Sequence, residues 1–200
     1  KDYLLVPVKK EAEKRLLTFW CGTEKIYEFE ISCVDTEETY PEDFCAVLPV
    51  KKWKGQKIRI EGDVCESLLS AVREKESAVR ENSGYIHFVP ETGWINDPNG
   101  LIYSEGKYHL YFQHNPVDVN WGNMSWGHAE STDLLHWVQK EDVMFPDENG
   151  TMFSGCAILN ERGLLGLPKD TPVFFYTVAG SASEWSKGKK FVQRIAYSTD

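Results

Sequence analysis

A mostly β chain is predicted: a small N-terminal β-sandwich, a linking helix, and then propeller-type hairpins. Three observations predict it. Short alternating runs separated by turn residues fill positions 3–62, the apolar period lengthens to that of a helix between Asp63 and Asn82, and a period of two returns from Tyr85 onward. The expected divisions are therefore 1–62, 63–84 and 85–200.

The first region contains β-type runs at Tyr3–Val8, Arg15–Cys21, Lys25–Cys33, Phe44–Val50 and Lys57–Glu61. Runs of this length at this spacing, broken by Gly, Pro and charged residues, suit a small antiparallel sandwich. The region carries no chemical motif. In the second, Val64, Leu68, Val72 and Val79 fall on one helical face, Asp63 and Glu66 form a capping pair, and Asn82-Ser83-Gly84 ends the pattern. Glu76 and Arg80 are spaced to pair on its outer face, which makes the surrounding charge run a solvated surface.

In the third region His87–Ile95 and Gly100–Tyr103 flank a first turn, Glu105-Gly106-Lys107 makes the next, and Tyr108–Gln113 alternates large side chains. A four-stranded blade takes roughly 40–50 residues, so residues 85–200 hold about two and a half blades. The first turn, Asp97-Pro98-Asn99-Gly100, has chemical interest. Pro98 pushes Asp97 toward extended geometry, and the following residues tolerate positive φ. Asp97 is thereby expected at a strand end feeding a tight turn, where a rigid scaffold can hold a reactive carboxylate. Taken alone the tetrapeptide is also an ordinary hairpin turn.

Composition narrows the function classes. With 42% hydrophobic and 26% charged residues the chain suits one or two globular domains, and 13% aromatic content is generous. Aromatic faces serve both cores and sugar binding. A net charge of -9 argues against nucleic acid and anionic partners and favours a neutral ligand. No run of 18 or more apolar residues predicts a membrane span, and the first residues, Lys1 to Pro7, do not read as a signal peptide, so any export signal is expected to have been removed. The five cysteines, Cys21, Cys33, Cys45, Cys65 and Cys156, form no C-x-x-C pair, so buried free thiols are expected rather than disulfides or zinc. His87, His109, His114, His128 and His136 lie on β-type segments without the helical H-E-x-x-H pattern, and no metal or other cofactor is expected. Asn123-Met124-Ser125 and Asn149-Gly150-Thr151 are formal glycosylation acceptors.

Four further segments change the weight given to Asp97. They are Tyr111-Phe112-Gln113-His114-Asn115-Pro116, Trp121 to Ala129, Ser131 to Trp137, and Phe153-Ser154-Gly155. Together with Trp94-Ile95-Asn96-Asp97-Pro98-Asn99-Gly100 they resemble glycoside hydrolase family 32, the β-fructosidases that include invertases, inulinases and levanases. The resemblance runs from about His87 to Asp200 and rests on long, ordered, Trp-rich motifs. It implies a five-bladed β-propeller, of which this chain would hold the first blades, so a truncated chain is expected. It also implies Asp97 as the catalytic nucleophile, with Asn96, Gln113, Trp121, Phe153 and Ser154 binding the sugar.

Retaining glycosidases need a second carboxyl group as acid and then base. In the family that group is the Glu of an E-C motif, and a further Asp stands in R-D-P. Neither dipeptide nor tripeptide occurs in these 200 residues. Glu91, Glu130 and Asp133 lie near the motifs but read as supporting residues. The expected function is hydrolysis of β-fructosidic bonds in fructans or sucrose, outside the cell or in the periplasm. A fructosyltransferase and a non-catalytic fructan-binding protein are the alternatives, and these residues alone are expected to be inactive. Some bacterial relatives resemble this chain in having a small β domain ahead of the catalytic one. Where the family has a second Ser after Phe-Ser-Gly, this chain has Cys156, expected on a buried strand position.

Overall fold

The computed structural model describes residues 1–33, 42–62, 66–75, 80–82 and 87–199. The chain divides into two compact units. One comprises Lys1–Ala78 with Thr92–Trp94 and Asn115–Asn123; the other comprises Val79–Glu91, Ile95–His114 and Met124–Asp200.

In the first unit the strands are β1 (Tyr3–Val8), β2 (Lys14–Cys21), β3 (Glu24–Ser32), β4 (Phe44–Pro49) and β5 (Ile58–Gly62), followed by α1 (Glu66–Ala71) and β6 (Arg73–Lys75). They form two three-stranded sheets, β4-β1-β6 and β3-β2-β5. Alternation does the sorting: Leu17, Phe19 and Cys21 are buried along β2 while their neighbours are not. Val6, Val8, Ala46 and Leu48 from one sheet, and Phe19, Phe29 and Ile31 from the other, are nearly or fully inaccessible, which is the core of a sandwich. Tyr27 of β3 donates its hydroxyl to the Pro49 carbonyl of β4 at 2.6 Å, so a buried phenol is satisfied across the two sheets.

The expected helix from Asp63 is present, among the described residues, only as α1. Leu68 is buried as its pattern requires, but Arg73–Lys75 pairs with β1 through Tyr3 to Leu5. Six residues make under two helical turns, too few to hold by local hydrogen bonding alone. The open edge of β1 offers the next residues a ladder instead. Asp63, Val64, Glu76, Val79, Ser83 and Gly84 lie outside the described residues.

The second unit contains β7 (Arg80–Asn82), β8 (Trp94–Ser104), β9 (Lys107–Asn115), β10 (Ser125–Ser131), β11 (Trp137–Gln139), β12 (Thr151–Leu159), β13 (Pro172–Ala179) and β14 (Val192–Tyr197). One sheet has the order β7-β11-β10-β9-β8 and the other β12-β13-β14. The turn between β8 and β9 uses Glu105 at φ 51° and Gly106 at φ 82°, the paired positive angles of a tight two-residue hairpin. Tyr111, Trp126, Met152, Phe174, Tyr176 and Val178 form one buried cluster between the two sheets. Trp126 is fully inaccessible, and its indole N–H is satisfied by the Phe153 carbonyl at 3.1 Å.

Two expectations are corrected here. Asp97 does not end a strand before a turn: β8 runs unbroken from Trp94 to Ser104. Pro98 is tolerated because β8 is the edge of its sheet, where a missing N–H costs no ladder bond, and Gly100 bends the strand locally with φ 46°. The His87–Ile95 run likewise yields no strand before Trp94. Cys156, expected to be buried, is exposed, because β12 presents that side of its sheet outward; Cys21 and Cys33 are buried and Cys45 is half-buried.

Candidate active site

Asp97 stands exposed on β8. Its carboxylate Oδ2 accepts a hydrogen bond from the Ser154 hydroxyl at 2.8 Å, and Ser154 lies on β12, the first strand of the other sheet. The Ser154 hydroxyl, with Asn96 beside it, holds the Asp97 carboxyl below the ordinary carboxylate range, and burial opposes them only weakly. A carboxylate kept ionised at a site open to a ligand is suited to nucleophilic attack.

Ser154 reaches Asp97 because β12 carries a bulge. Met152 pairs with Val178 and Gly155 with Tyr176, so Phe153 and Ser154 together oppose Thr177 alone. The extra residue re-aims the side chains next to it. Gly155 is required there: a Cβ would lie 2.2 Å from the Phe175 carbonyl oxygen. Phe153 is half-buried and meets Phe191 edge-on with ring centroids 5.9 Å apart.

Behind this pair lies a buried amide network. Asn99 Nδ2 donates to Gln113 Oε1 at 2.9 Å, Gln113 Nε2 donates to the Met152 carbonyl at 2.8 Å, and the Gly155 N–H donates to Asn99 Oδ1 at 3.2 Å. Gln113 is 2% exposed and Asn99 1%. Asn96, Asp97, Phe153 and Ser154 thus gather at the surface above Gln113. Asn99 was missed in the sequence, although its place two residues after Asp97 in the same motif was a signal.

Trp121 belongs to the first unit and is 55% exposed. Its loop, residues 115–123, is held within that unit. Asn123 exchanges two hydrogen bonds with the backbone of Glu30, at 3.0 and 2.9 Å. Asp118 accepts from Ser32 and lies 3.0 Å from the Lys14 ammonium.

Two further carboxylates near the motifs are occupied. Glu130 is pushed up by burial, but hydrogen bonds from Lys107 and Lys140 win and bring it down to about 2. Asp133 is held well below the usual range, first by the backbone and ring of His136. Neither is suited to donate a proton at neutral pH. Glu91 is exposed at the surface.

His109, His128 and Glu130 place one ligand atom each within 4.8 Å of one another. Their geometry does not suit a metal. His109 Nδ1 and His128 Nε2 are 3.1 Å apart, and the ring centroids are 5.4 Å apart with planes within 12°. Those values require the rings to lie edge to edge, each nitrogen aimed at the other. An ion on the line between the two nitrogens would sit far inside the bond length of about 2.0–2.1 Å that imidazole nitrogen needs, and one moved off that line to reach that length would leave both lone-pair directions. The pair is an N–H···N hydrogen bond, and Tyr111 stacks on His128 at 4.5 Å.

Residues 87–200 match the N-terminal domain of the glycosyl hydrolases family 32. The chain belongs to this family. It is 43% identical over 117 residues to a levanase from Bacillus subtilis, an alignment covering 57% of this chain and 16% of the levanase. It is 40% identical over 131 residues to an extracellular exo-inulinase from Aspergillus awamori, covering 58% of this chain and 24% of that protein. The crystal structure of an exo-inulinase from the same organism superposes with a TM-score of 0.51 at 37% identity, over 60% of this chain and 26% of that one. The chain therefore spans about a quarter or less of the length of these three proteins. The two sheets of the second unit are blades of the family's β-propeller, and the fold is mostly β as expected.

Proposed function

We propose that this chain carries the nucleophile of a retaining β-fructosidase acting on fructans or sucrose, and that the nucleophile is Asp97. The observation carrying this reading is the Ser154–Asp97 hydrogen bond at 2.8 Å between edge strands of two sheets. It supports an ionised, oriented carboxylate with one face open to a ligand. The named activities of the levanase and exo-inulinase relatives supply the substrate class.

In the first step a carboxylate oxygen of Asp97 bonds to the anomeric carbon of a fructosyl unit while the bond to the leaving oxygen breaks, and a second carboxyl group protonates that oxygen. Water then takes the fructosyl group from Asp97, with the same second group acting as base. Asn96 and Ser154 offer hydrogen bonds to sugar hydroxyls and Phe153 supplies an apolar wall, while Trp121 is carried as a sugar-binding residue by its sequence motif alone. Gln113, sealed beneath the surface with both amide ends engaged, contributes by holding the sugar-facing residues in place. The acid/base is assigned to a Glu outside residues 1–200, so these residues alone should release no fructose. The division at 62 and 84 into a sandwich, a linker and a propeller part belongs to the same proposal. Within that division Arg73–Lys75 counts with the sandwich sheet and Arg80–Asn82 with the propeller part. An extracellular or periplasmic location is also part of the proposal, and the extracellular exo-inulinase relatives support it. Among the described residues no helix is long and apolar enough to cross a membrane.

The test is to trap the intermediate. The full gene product is mixed with sucrose or inulin, quenched rapidly in acid and digested, and its peptides are weighed. A hexosyl increment on the peptide containing Asp97 is expected; an increment on a different carboxylate refutes the assignment.

A further inference from the structure

Asn99 connects three strands from a position with 1% exposure. Its backbone belongs to β8, two residues after Asp97. Its Nδ2 reaches Gln113 on β9, and its Oδ1 receives the Gly155 N–H of β12. Gln113 in turn donates to the Met152 carbonyl. Met152 and Gly155 are the two residues that flank the β12 bulge. The two amides therefore grip the bulge on both sides, and Phe153 and Ser154 project from between the anchored ends.

Building on the proposed role of Asp97, we propose that Asn99 is a positioning residue that fixes the Ser154 hydroxyl against the nucleophile. The strand that presents Asp97 also sends Asn99 inward to hold the strand that presents Ser154, so donor and acceptor are set by one short segment. The asparagine amide does this from a single side chain. The side chain must donate to an oxygen and accept from an N–H at once, which neither a carboxylate nor an apolar residue of similar size can do. Substitution leaves the buried Gln113 oxygen and the half-buried Gly155 N–H without their partner. The bulge then loses its anchor to β8, and Ser154 loses its alignment.

Among the described residues, the groups acting on Asp97 are the Ser154 hydroxyl first, then the Asn96 side chain and the Asp97 backbone N–H, with burial opposing them. Asp97 must be ionised to attack, so losing the Ser154 donor raises the pH at which activity rises.

The experiment compares Asn99→Ala, Ser154→Ala and the double variant in the full gene product, with kcat and kcat/KM for sucrose or inulin measured against pH. Asn99→Ala should lower kcat up to about 10²-fold, the scale of a misplaced catalytic group, and move the acid limb of kcat/KM to higher pH. The double variant should lie close to Ser154→Ala, because Asn99 acts through Ser154. If Asn99→Ala does not fold, Gln113→Met cuts the same bridge from its other end and should give the same acid-limb shift. A wild-type acid limb in the variants, a change confined to melting temperature, or losses that multiply in the double variant would overturn the inference. Asp97→Asn is run in parallel. Retained activity there defeats the nucleophile reading itself, whereas loss there with an unaltered Asn99→Ala defeats only the role of Asn99.

Discussion

Gly127 of β10 sits directly opposite Phe112 of β9, and a Cβ added at Gly127 would lie 2.2 Å from the Phe112 ring. The glycine makes room for a fully buried aromatic that also meets Phe88, with ring centroids 5.0 Å apart. Gly127→Ala should therefore destabilise the second unit by about 1–3 kcal/mol, the usual cost of overpacking. Thermal melts of the full gene product measure it, and adding Phe112→Leu should recover part of the loss. Equal melting temperatures for wild type and Gly127→Ala would show that the ring is not packed over this position.

Acid should weaken the fold through His128. Burial, and then the neighbouring His109, push its imidazole down to about 4 from 6.5. The folded state thus binds this proton less readily than the unfolded state, so the stabilising effect is complete above pH 6.5 and is lost as pH falls through about 4. Replacing His128 with Gln should flatten the decline in melting temperature between those values. An unchanged slope would assign the acid sensitivity to other groups.

Asp118 is expected to be a stability residue of the first unit. Burial raises its carboxyl, but Lys14 and Asn120 outweigh that and hold it below its ordinary value. Asp118→Ala should cost about 1–3 kcal/mol, because Ser32 and the backbone of Asn120 lose a buried acceptor. Denaturant unfolding of the full gene product checks this, with Lys14→Met, on a more exposed partner, expected to cost less.

The strands of the sandwich were legible because each side of a strand meets a different medium. Phe44–Pro49 falls where the alternation of apolar residues puts it, and Tyr3–Val8, buried on both faces, shows as an unbroken apolar run. Long-range choices were not legible. Arg73–Lys75 leaves the helical pattern because β1 has an unpaired edge, a fact about another part of the chain. Pro98 and Gly100 look like turn residues, and only the edge position of β8 turns them into a bent strand. At the site, Ser154 is hydrogen-bonded to Asp97 and Phe153 is its neighbour on β12. Asn99 went unseen because a polar residue beside an exposed carboxylate does not announce burial, and the bulge at Phe153 and Ser154 is visible only against β13. Cys156 looked like core material because local pattern does not say which side of β12 is covered.

In the proposed reaction Asp97 is the group that attacks the sugar. Asp97→Asn keeps the shape and the hydrogen bond from Ser154 but removes the nucleophile, so kcat for fructose release by the full gene product should fall on the order of 10⁴-fold or more. Binding of sucrose or inulin, followed by calorimetry on the same variant, should be nearly unchanged. Turnover of Asp97→Asn within tenfold of wild type would mean that a different group attacks the sugar.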